Sequence, residues 1–494
     1  MKLFSGPIRR RLKGQETPAH GKAAGRRPHL DRRRKVSVLK GLECLEDRTL
    51  LSYTFSYDPV TKVATATGTA ATDSLIFQPL GGLLLHSVNG GAFDGDWGGN
   101  TVPLDALLTV NTTLSTGDGS SFQLGTADGA ASTALGTFNV TAAANTSNTL
   151  TVDDSAGTTL ASNVSPYVIN TASAIGSLSG PGFTVNLVNT NAIQGGITFK
   201  GSSVADNIYN VISTRTGLGN SPEPVSVITG TSTSTVNVGN VGLLAIASPL
   251  AIYSSSAAGE TTVNVDDSAD TVNEEATLDL LSADANAPYQ LTGLSAAAIK
   301  FGVGVTDLNI DGGTAGLAGV TYNINGTQQG TTTTINGGAN ENTFLLSNSG
   351  LTNGLDNLSG PVVVNGGASG TDVVTLDDSS ADFNDSYTIT STEVTSRAEF
   401  GGLTYAGIGT LNLYAENTLG TNGNNTITVD STADSVITNI FGQGGVDTVT
   451  VNDTGSLGTL NIETGSDDGS TVNILGNNQA VNITTNAAST VNIG

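Results

Sequence analysis

The sequence predicts an all-β chain that forms an elongated parallel β-solenoid, and two observations lead to this fold class. Short segments of alternating apolar and polar residues recur from Tyr53 onward, as in TVNV, TYNI, TITV and TLNI. Such alternation is the period-two signature of strands. The segments also follow one another at a nearly constant step, and they repeat the same residue types in the same order. We therefore expect strands stacked in parallel, with tandem β-sandwich modules as the alternative.

The spacing of these segments predicts the size of one coil. The alternating segments step by 9 to 12 residues, so a coil of two strands takes about 22 residues. Equivalent positions of a parallel stack lie about 4.8 Å apart, so identical Asn, Thr or Val side chains can form ladders. The predicted strand centres are Asn323, Thr334, Leu345, Thr428, Thr438, Thr450, Asn461, Asn473, Asn482 and Asn492.

A longer repeat is superimposed on the strands. Three aspartate pairs stand 113 and then 111 residues apart in similar segments. The pairs are Asp153 with Asp154, Asp266 with Asp267, and Asp377 with Asp378. A segment that contains a tyrosine follows each pair, at Tyr167, Tyr289 and Tyr387. The chain therefore contains three diverged copies of a unit of about 110 residues.

The net charge changes sign between an N-terminal arm and these repeats. Residues 1–50 carry 14 Lys and Arg against five acids, a net charge of +9, whereas the remainder carries five against 38, a net charge of −33. We expect the basic arm to be disordered and the acidic body to repel nucleic acid and anionic lipid. The predicted organisation is an arm at 1–51, a β-rich region at 52–145, and repeat units at 146–260, 261–370 and 371–494.

Residue counts exclude several classes of site. Cys44 is the single cysteine, which excludes an intramolecular disulfide framework and a thiolate metal cluster. Of three histidines, only His86 lies outside the arm, in an alternating segment typical of an ordinary strand. Zinc sites and Ser-His-Asp triads are therefore poor interpretations of this chain. The longest apolar run has 13 residues, short of the roughly 20 of a spanning helix, so we expect no transmembrane segment.

The aspartate pairs and two further aspartates are the candidate metal ligands. A pair at the end of a strand more naturally starts a turn, in which Asp accepts hydrogen bonds from backbone amides. The segments GQGGVDTVT and GGASGTDVV approach the calcium-binding nonapeptide GGxGxDxUx without matching it. Calcium is therefore kept as an alternative, and no other cofactor is expected. Its candidate ligands are Asp447, Asp372, Asp153, Asp154, Asp266, Asp267, Asp377 and Asp378.

The residues of the body do not favour an enzyme. The acids lie mostly in turn segments such as SDDGS and NDTG, and the body has five Lys and Arg and one tryptophan, Trp97. Polysaccharide clefts usually offer aromatic platforms and basic residues. We therefore predict a non-catalytic protein, with a β-helix polysaccharide lyase or hydrolase as the alternative. Trp97, in GDWGG, is predicted to be an anchored aromatic residue of a turn.

The segment LECLEDRTLLS at 42–52 resembles the LE-x-R-x-LLS motif of planctomycete secreted and cell-surface proteins. The matching positions are Leu45, Glu46, Arg48, Leu50, Leu51 and Ser52. In that group an Arg/Lys-rich stretch precedes the motif, and Gly/Thr/Asn/Asp-rich β-repeats follow it. The resemblance implies export to the extracellular space or cell surface, with arm and motif as a sorting signal, and it implies no reaction. We expect the mature chain to start near Ser52.

These observations together predict an adhesin-like protein with a structural or adhesive role at the cell surface or outside the cell. Its expected partners are surface polymers or other surface proteins, and copies of the chain are expected to associate through the solenoid ends. No nucleic-acid partner is expected. A calcium-stabilised β-roll is the first alternative, and the polysaccharide-degrading β-helix is the second.

Overall fold

A computed structural model describes residues 52–494 of the chain, apart from several short gaps. The gaps are 70–71, 143–146, 172–175, 189–192, 216–222, 240–241, 273, 281–284, 314–318, 348–353, 368–369, 382–384, 397–398, 418–422, 466, 468 and 486–487. The chain divides into two units, Met1–Leu50 and Leu51–Gly494. The arm that the sequence predicts to be disordered lies outside the described residues.

The described residues form 37 strands in two sheets, which we name sheet A and sheet B. Sheet A contains β1 (Tyr53–Asp58), β2 (Val63–Gly68), β5 (Thr109–Thr113), β7 (Gly136–Thr141), β9 (Tyr167–Asn170), β10 (Gly176–Gly180), β11 (Phe183–Leu187), β13 (Asn207–Ser213), β15 (Ser234–Val238), β17 (Thr261–Asp266), β21 (Val305–Asp311), β23 (Thr332–Asn336), β25 (Val362–Asn365), β27 (Ser386–Ile389), β28 (Glu393–Thr395), β29 (Leu403–Ala406), β31 (Thr426–Val429), β33 (Thr448–Val451), β35 (Thr471–Ile474) and β37 (Thr490–Ile493). Sheet B contains β3 (Ser74–Leu80), β4 (Leu83–Val88), β6 (Ser121–Leu124), β8 (Thr149–Asp153), β12 (Gly196–Lys200), β14 (Val225–Thr229), β16 (Leu250–Ser254), β18 (Glu275–Leu280), β19 (Tyr289–Thr292), β20 (Ile299–Phe301), β22 (Thr321–Ile324), β24 (Thr343–Leu346), β26 (Val373–Asp377), β30 (Thr410–Tyr414), β32 (Val436–Phe441), β34 (Gly458–Glu463) and β36 (Ala480–Thr484). Among the described residues, short 3₁₀ turns lie between strands at Ala131–Thr133 and Gly354–Asn357.

The chain passes from one sheet to the other, and most strands pair in parallel with the strand one coil further on. In the C-terminal part, β31 pairs with β33 and β33 with β35 in sheet A, while β32 pairs with β34 and β34 with β36 in sheet B. All the predicted strand centres fall within strands. The prediction of an all-β parallel solenoid is therefore confirmed, and the β-sandwich alternative is not the architecture observed.

The hydrophobic core lies between the two sheets. Strand residues alternate between buried and partly exposed positions, as in β13 and β15. The buried positions carry Val, Ile, Leu and aromatic side chains that form one continuous cluster along the described coils. Because one face of most strands is buried and the other is not, the period-two pattern fixes the pairing register.

The outward positions carry ladders of asparagine side chains. In sheet A, Asn309, Asn264 and Asn237 each donate from Nδ2 to Oδ1 of the preceding asparagine, ending at Asn210, with distances of 2.9 Å. In sheet B, a second ladder runs through Asn482, Asn461, Asn439 and Asn412, with distances of 2.6 to 2.8 Å. The repeated residue types of the sequence therefore correspond to columns of identical, hydrogen-bonded side chains.

Replacing Asn439 by alanine is expected to lower the free energy of unfolding by about 2 kcal/mol, because two ladder hydrogen bonds are lost at once. Asn439 donates to Asn412 and accepts from Asn461. The control is Asn482→Ala, which removes the bond to Asn461 and is expected to cost about 1 kcal/mol. Urea unfolding followed by circular dichroism measures both changes. Equal losses in the two variants would contradict the expectation that each ladder hydrogen bond contributes separately to stability.

Three β-meanders interrupt the simple alternation between sheets. In sheet A, the chain folds back after β9, so that β10 pairs antiparallel with both β9 and β11. Strand β11 then pairs in parallel with β7 of the preceding coil. The β10–β11 turn contains Pro181 and Gly182, and φ of +88° at Gly182 favours glycine. The strands β18, β19 and β20 form the same motif in sheet B, and β27, β28 and β29 form it again in sheet A.

The three meanders recur with the sequence repeat, but on alternating sheets. From β8 to β16 the chain forms one meander and six single strands, and from β17 to β25 it does the same. We call each passage of the chain through one sheet, by a single strand or by a meander, a half-coil. Each repeat therefore occupies seven half-coils, which is an odd number. As a result, the strands that end in the aspartate pairs, β8, β17 and β26, lie in sheets B, A and B.

An aromatic cluster packs against the first coils. Strand β1 pairs antiparallel with β2 in sheet A, and β4 pairs antiparallel with β3 in sheet B. Trp97 is fully buried, and its Nε1 donates to the carbonyl oxygen of Leu84 at 3.0 Å. His86 is a buried residue of β4 and stacks on Phe55 with ring centroids 3.6 Å apart. Both residues therefore contribute to packing. Within the described residues, no helix is long and apolar enough to cross a membrane.

Candidate functional site

The three aspartate pairs lie where β8, β17 and β26 end, and we name these turns corner 1, corner 2 and corner 3. The first aspartate of each pair is the last residue of its strand. Its Oδ1 accepts hydrogen bonds from the backbone N–H and the hydroxyl of the serine two residues later, at 3.1 Å and 2.5 to 2.6 Å. This geometry is that of an Asx turn, in which the carboxylate holds the start of the loop.

The second aspartate of each pair points into the protein and accepts a hydrogen bond from the preceding coil. Asp154 accepts from the N–H of Ser132 at 2.7 Å, Asp267 from Leu243 at 3.1 Å, and Asp378 from Leu355 at 2.8 Å. All three carboxylates are at most 1% exposed. The second aspartate therefore ties one coil to the next.

A tyrosine completes corners 1 and 3. The hydroxyl of Tyr167 donates to Oδ2 of Asp154 at 2.5 Å, and the hydroxyl of Tyr387 donates to Oδ2 of Asp378 at 2.6 Å. Both oxygens of these two aspartates therefore have protein donors. Burial raises the pKa of Asp154, and burial together with the neighbouring carboxylates raises the pKa of Tyr387 well above its ordinary value. The tyrosine consequently remains a neutral donor.

Corner 2 lacks this tyrosine and carries additional acids. Ala276 of β18 occupies the position of the tyrosine, because it pairs with Tyr322 just as Tyr167 pairs with Tyr209. Asp270 replaces the small residue of the other corners, Gly157 or Ala381, each of which donates its N–H to the second aspartate's carbonyl oxygen. Corner 2 therefore has more negative charge and fewer donors than its two counterparts.

Three carboxylates of corner 2 form a cluster, which we name the corner 2 acid cluster. One carboxylate oxygen each of Asp267, Asp270 and Glu274 lie within 4.8 Å of one another. Burial is the largest cause that raises the pKa of Asp267, and it also raises the pKa of Glu274 together with the adjacent Asp267. Taking these groups out of water without a cationic partner therefore disfavours their charged forms.

The other two aspartates predicted as calcium ligands, Asp447 and Asp372, are fully buried and satisfied by protein donors. Asp447 accepts from the N–H and side-chain amide of Asn425 and from the N–H of Gly465. Asp372 accepts in the same way from Asn342 and Gly367. Burial raises the pKa of Asp447 to about 6. The structure places both as ties between coils, and the two oxygens of each carboxylate accept hydrogen bonds.

The structure does not gather the eight predicted metal ligands into one site. Asp153, Asp154, Asp377 and Asp378 lie in corners 1 and 3, while Asp266 and Asp267 lie in corner 2. Sequence reasoning missed Asp270 and Glu274. The signal that could have identified Asp270 is the comparison of VDDSAG, VDDSAD and LDDSSA, in which the second copy alone has a third acid. Leu45, Glu46, Arg48, Leu50 and Leu51 of the predicted sorting motif lie outside the described residues, and Ser52 is the first described residue.

The chain matches no protein-family model, no curated protein and no solved structure at a significant level.

Proposed function

We propose that this chain is an exported, non-catalytic β-solenoid with a structural or adhesive role outside the cell or at its surface. The observation that carries the proposal is the in-register stack of parallel strands with asparagine ladders on its outward face. Such a stack offers a long surface with many similar polar positions, which suits repeated contacts with surface polymers or proteins. The acidic composition after residue 50 suits solubility outside the cell.

The use of the buried acids supports a non-catalytic role. Asp154, Asp378, Asp372 and Asp447 accept hydrogen bonds from backbone amides or tyrosine hydroxyls of neighbouring segments. A general acid or base needs a carboxyl group within reach of a bound substrate. These four side chains are instead buried as ties within the solenoid. The proposal therefore assigns them a structural role.

Export with removal of the arm is tested in the source organism by cell fractionation and N-terminal sequencing. We expect the chain in the extracellular or surface fraction with an N-terminus near Ser52. The double variant Arg48→Ala/Leu51→Asp should remain inside the cell with its arm intact, whereas Lys35→Ala, which removes one basic residue outside the motif, should be exported normally. An exported chain that retains its arm would contradict the processing step. Release of reducing sugar from neutral or polyanionic polysaccharides would contradict the non-catalytic role.

A further inference from the structure

The corner 2 acid cluster contains buried oxygens that have no hydrogen-bond partner in the described part of the chain. They are Oδ2 of Asp267, Oδ2 of Asp270 and Oε2 of Glu274. Asp267 is fully buried and Asp270 is 9% exposed. The second oxygen of each aspartate is already used, since it accepts a backbone N–H from Leu243 or Val272. One oxygen of each side chain therefore lacks an N–H or hydroxyl donor, and a hydrogen bond between the side chains of Asp267 and Glu274 requires that one of these two carboxyl groups carry a proton.

The two homologous corners show how the same position is satisfied elsewhere. In corner 1, Lys200 forms an ion pair with Asp153 at 3.2 Å, and Tyr167 donates to Asp154. The residue that pairs with Asp266 at the position of Lys200 is another acid, Asp311. The two ion pairs among the described residues, Lys62–Asp105 and Lys200–Asp153, both lie outside corner 2. Compared with corner 1, corner 2 therefore lacks the lysine and the tyrosine hydroxyl, and it has additional acids at Asp270, Glu274 and Asp311.

Corner 3 provides the more stringent comparison, because it also has an extra carboxylate. Asp385 corresponds to Glu274, since the backbone carbonyl oxygen of each accepts the equivalent interstrand hydrogen bond, from Thr426 N–H and Thr321 N–H respectively. There the hydroxyl of Tyr387 lies between the two acids, 2.6 Å from Asp378 and 3.5 Å from Asp385. Ala276 stands in place of that tyrosine in corner 2, so no tyrosine hydroxyl from this position lies between its carboxylates.

We propose that the corner 2 acid cluster binds one hard divalent cation, with Ca²⁺ as the preferred ion, through Asp267, Asp270 and Glu274. All three ligands offer carboxylate oxygen, which Ca²⁺ and Mg²⁺ prefer over the nitrogen and sulfur donors that select zinc or copper. Ca²⁺ is preferred because it tolerates irregular coordination, whereas Mg²⁺ requires near-octahedral geometry and retains its waters. The Tyr322 hydroxyl is a fourth buried oxygen without a partner, and burial, followed by the charges of Asp267 and Glu274, raises its pKa.

This site differs from the nonapeptide turns that suggested calcium in the sequence. Those turns contain Asp447 and Asp372, whose carboxylates are satisfied by protein donors. The proposed site depends on one repeat, so we expect one ion per chain. The inference is independent of the proposed function, because an intracellular chain or an enzyme could hold the same ion.

The test is calorimetric titration of CaCl₂ into the full chain after treatment with EDTA and its removal. We expect one bound Ca²⁺ per chain, and a rise in the thermal midpoint of unfolding that EDTA reverses. Asp270→Ala and Glu274→Gln should each weaken binding at least tenfold. Asp270→Ala is suited to the test because alanine occupies this position, Ala381, in corner 3. The control is Glu260→Gln, an exposed acid outside the cluster, which should bind Ca²⁺ like the parent chain.

Two results would overturn the proposal. The first is the absence of Ca²⁺ binding by the parent chain at 10-fold molar excess and millimolar concentration. The second is binding that remains unchanged in both Asp270→Ala and Glu274→Gln, since the ion would then lie at another site. If one variant does not fold, the other decides the outcome, and circular dichroism of each variant before titration shows which can be used.

Discussion

Replacing Asp378 by alanine is expected to lower the free energy of unfolding of the third repeat by about 3 to 5 kcal/mol. The carboxylate is 1% exposed and accepts from the hydroxyl of Tyr387 and the N–H of Leu355. Its removal leaves the buried N–H of Leu355 without its acceptor and leaves the Tyr387 hydroxyl only the long contact to Asp385 at 3.5 Å. An orphaned buried group costs about 1 to 3 kcal/mol. Urea unfolding, with hydrogen exchange of the strands β26 to β31, measures the loss and locates it.

The adjacent aspartate is the matched control. Asp377 is half-buried and accepts from the N–H and hydroxyl of Ser379 within its own turn. Asp377→Ala is expected to cost about 1 kcal/mol, because its donors can turn to water. If Asp377→Ala destabilised the chain as much as Asp378→Ala, the tie between coils would have no special importance.

Replacing Trp97 by alanine is expected to lower the free energy of unfolding of the first coils by about 3 to 5 kcal/mol. Trp97 is fully buried, and its ring centroid lies 5.2 Å from those of Phe55 and Phe77. The substitution leaves a large cavity and removes the donor to Leu84. Hydrogen exchange of β1 to β4 should increase first, since these strands pack around the indole.

The control for this variant is Leu107→Ala, whose side chain is 71% exposed in the same part of the chain. A change of at most about 0.5 kcal/mol is expected there, because little apolar surface is buried. Unfolding followed by circular dichroism suits both variants, since Trp97 is the only tryptophan of the chain and its fluorescence is lost on substitution. A loss below 1 kcal/mol in Trp97→Ala would contradict the assigned role in packing.

Local patterns were sufficient to predict the strands and their stacking. Alternation in TVNV or TLNI defines the buried face, and the recurrence of asparagine at the same strand position predicts a ladder. Asn461, for example, was predicted as a strand centre, and it both donates to Asn439 and accepts from Asn482. These features depend on residues of the same coil or of the adjacent coil, so a repeating sequence is sufficient to predict them.

The meanders could not be predicted because they depend on the order in which strands fill a sheet. Tyr289 was grouped with Tyr167 and Tyr387 from sequence, but it lies in the second meander strand, β19, whereas the other two lie in the first strands, β9 and β27. Short alternating segments have the same pattern in parallel and antiparallel pairs. The sequence therefore did not distinguish a strand that continues the coil from one that folds back.

The corner 2 acid cluster could be predicted only in part. Asp267 was a candidate as one of six paired aspartates, and within its own segment only the third acid, Asp270, distinguishes it from Asp154 and Asp378. The difference lies in Ala276, which stands where the other corners have a tyrosine, and in the register that places it there. Absence of a donor becomes visible only when the three corners are compared in space.

The odd number of half-coils in each repeat determines how the solenoid can be lengthened by gene duplication. Each meander adds two strands, about 10 Å, to one sheet only, and the next meander adds the same to the other sheet. A gene duplication that inserts one whole repeat therefore moves all later strands to the opposite sheet while keeping every neighbour equivalent. Lengthening by whole repeats would keep the meanders alternating between the two sheets, whereas inserting an odd number of half-coils between two meanders would place both on one sheet.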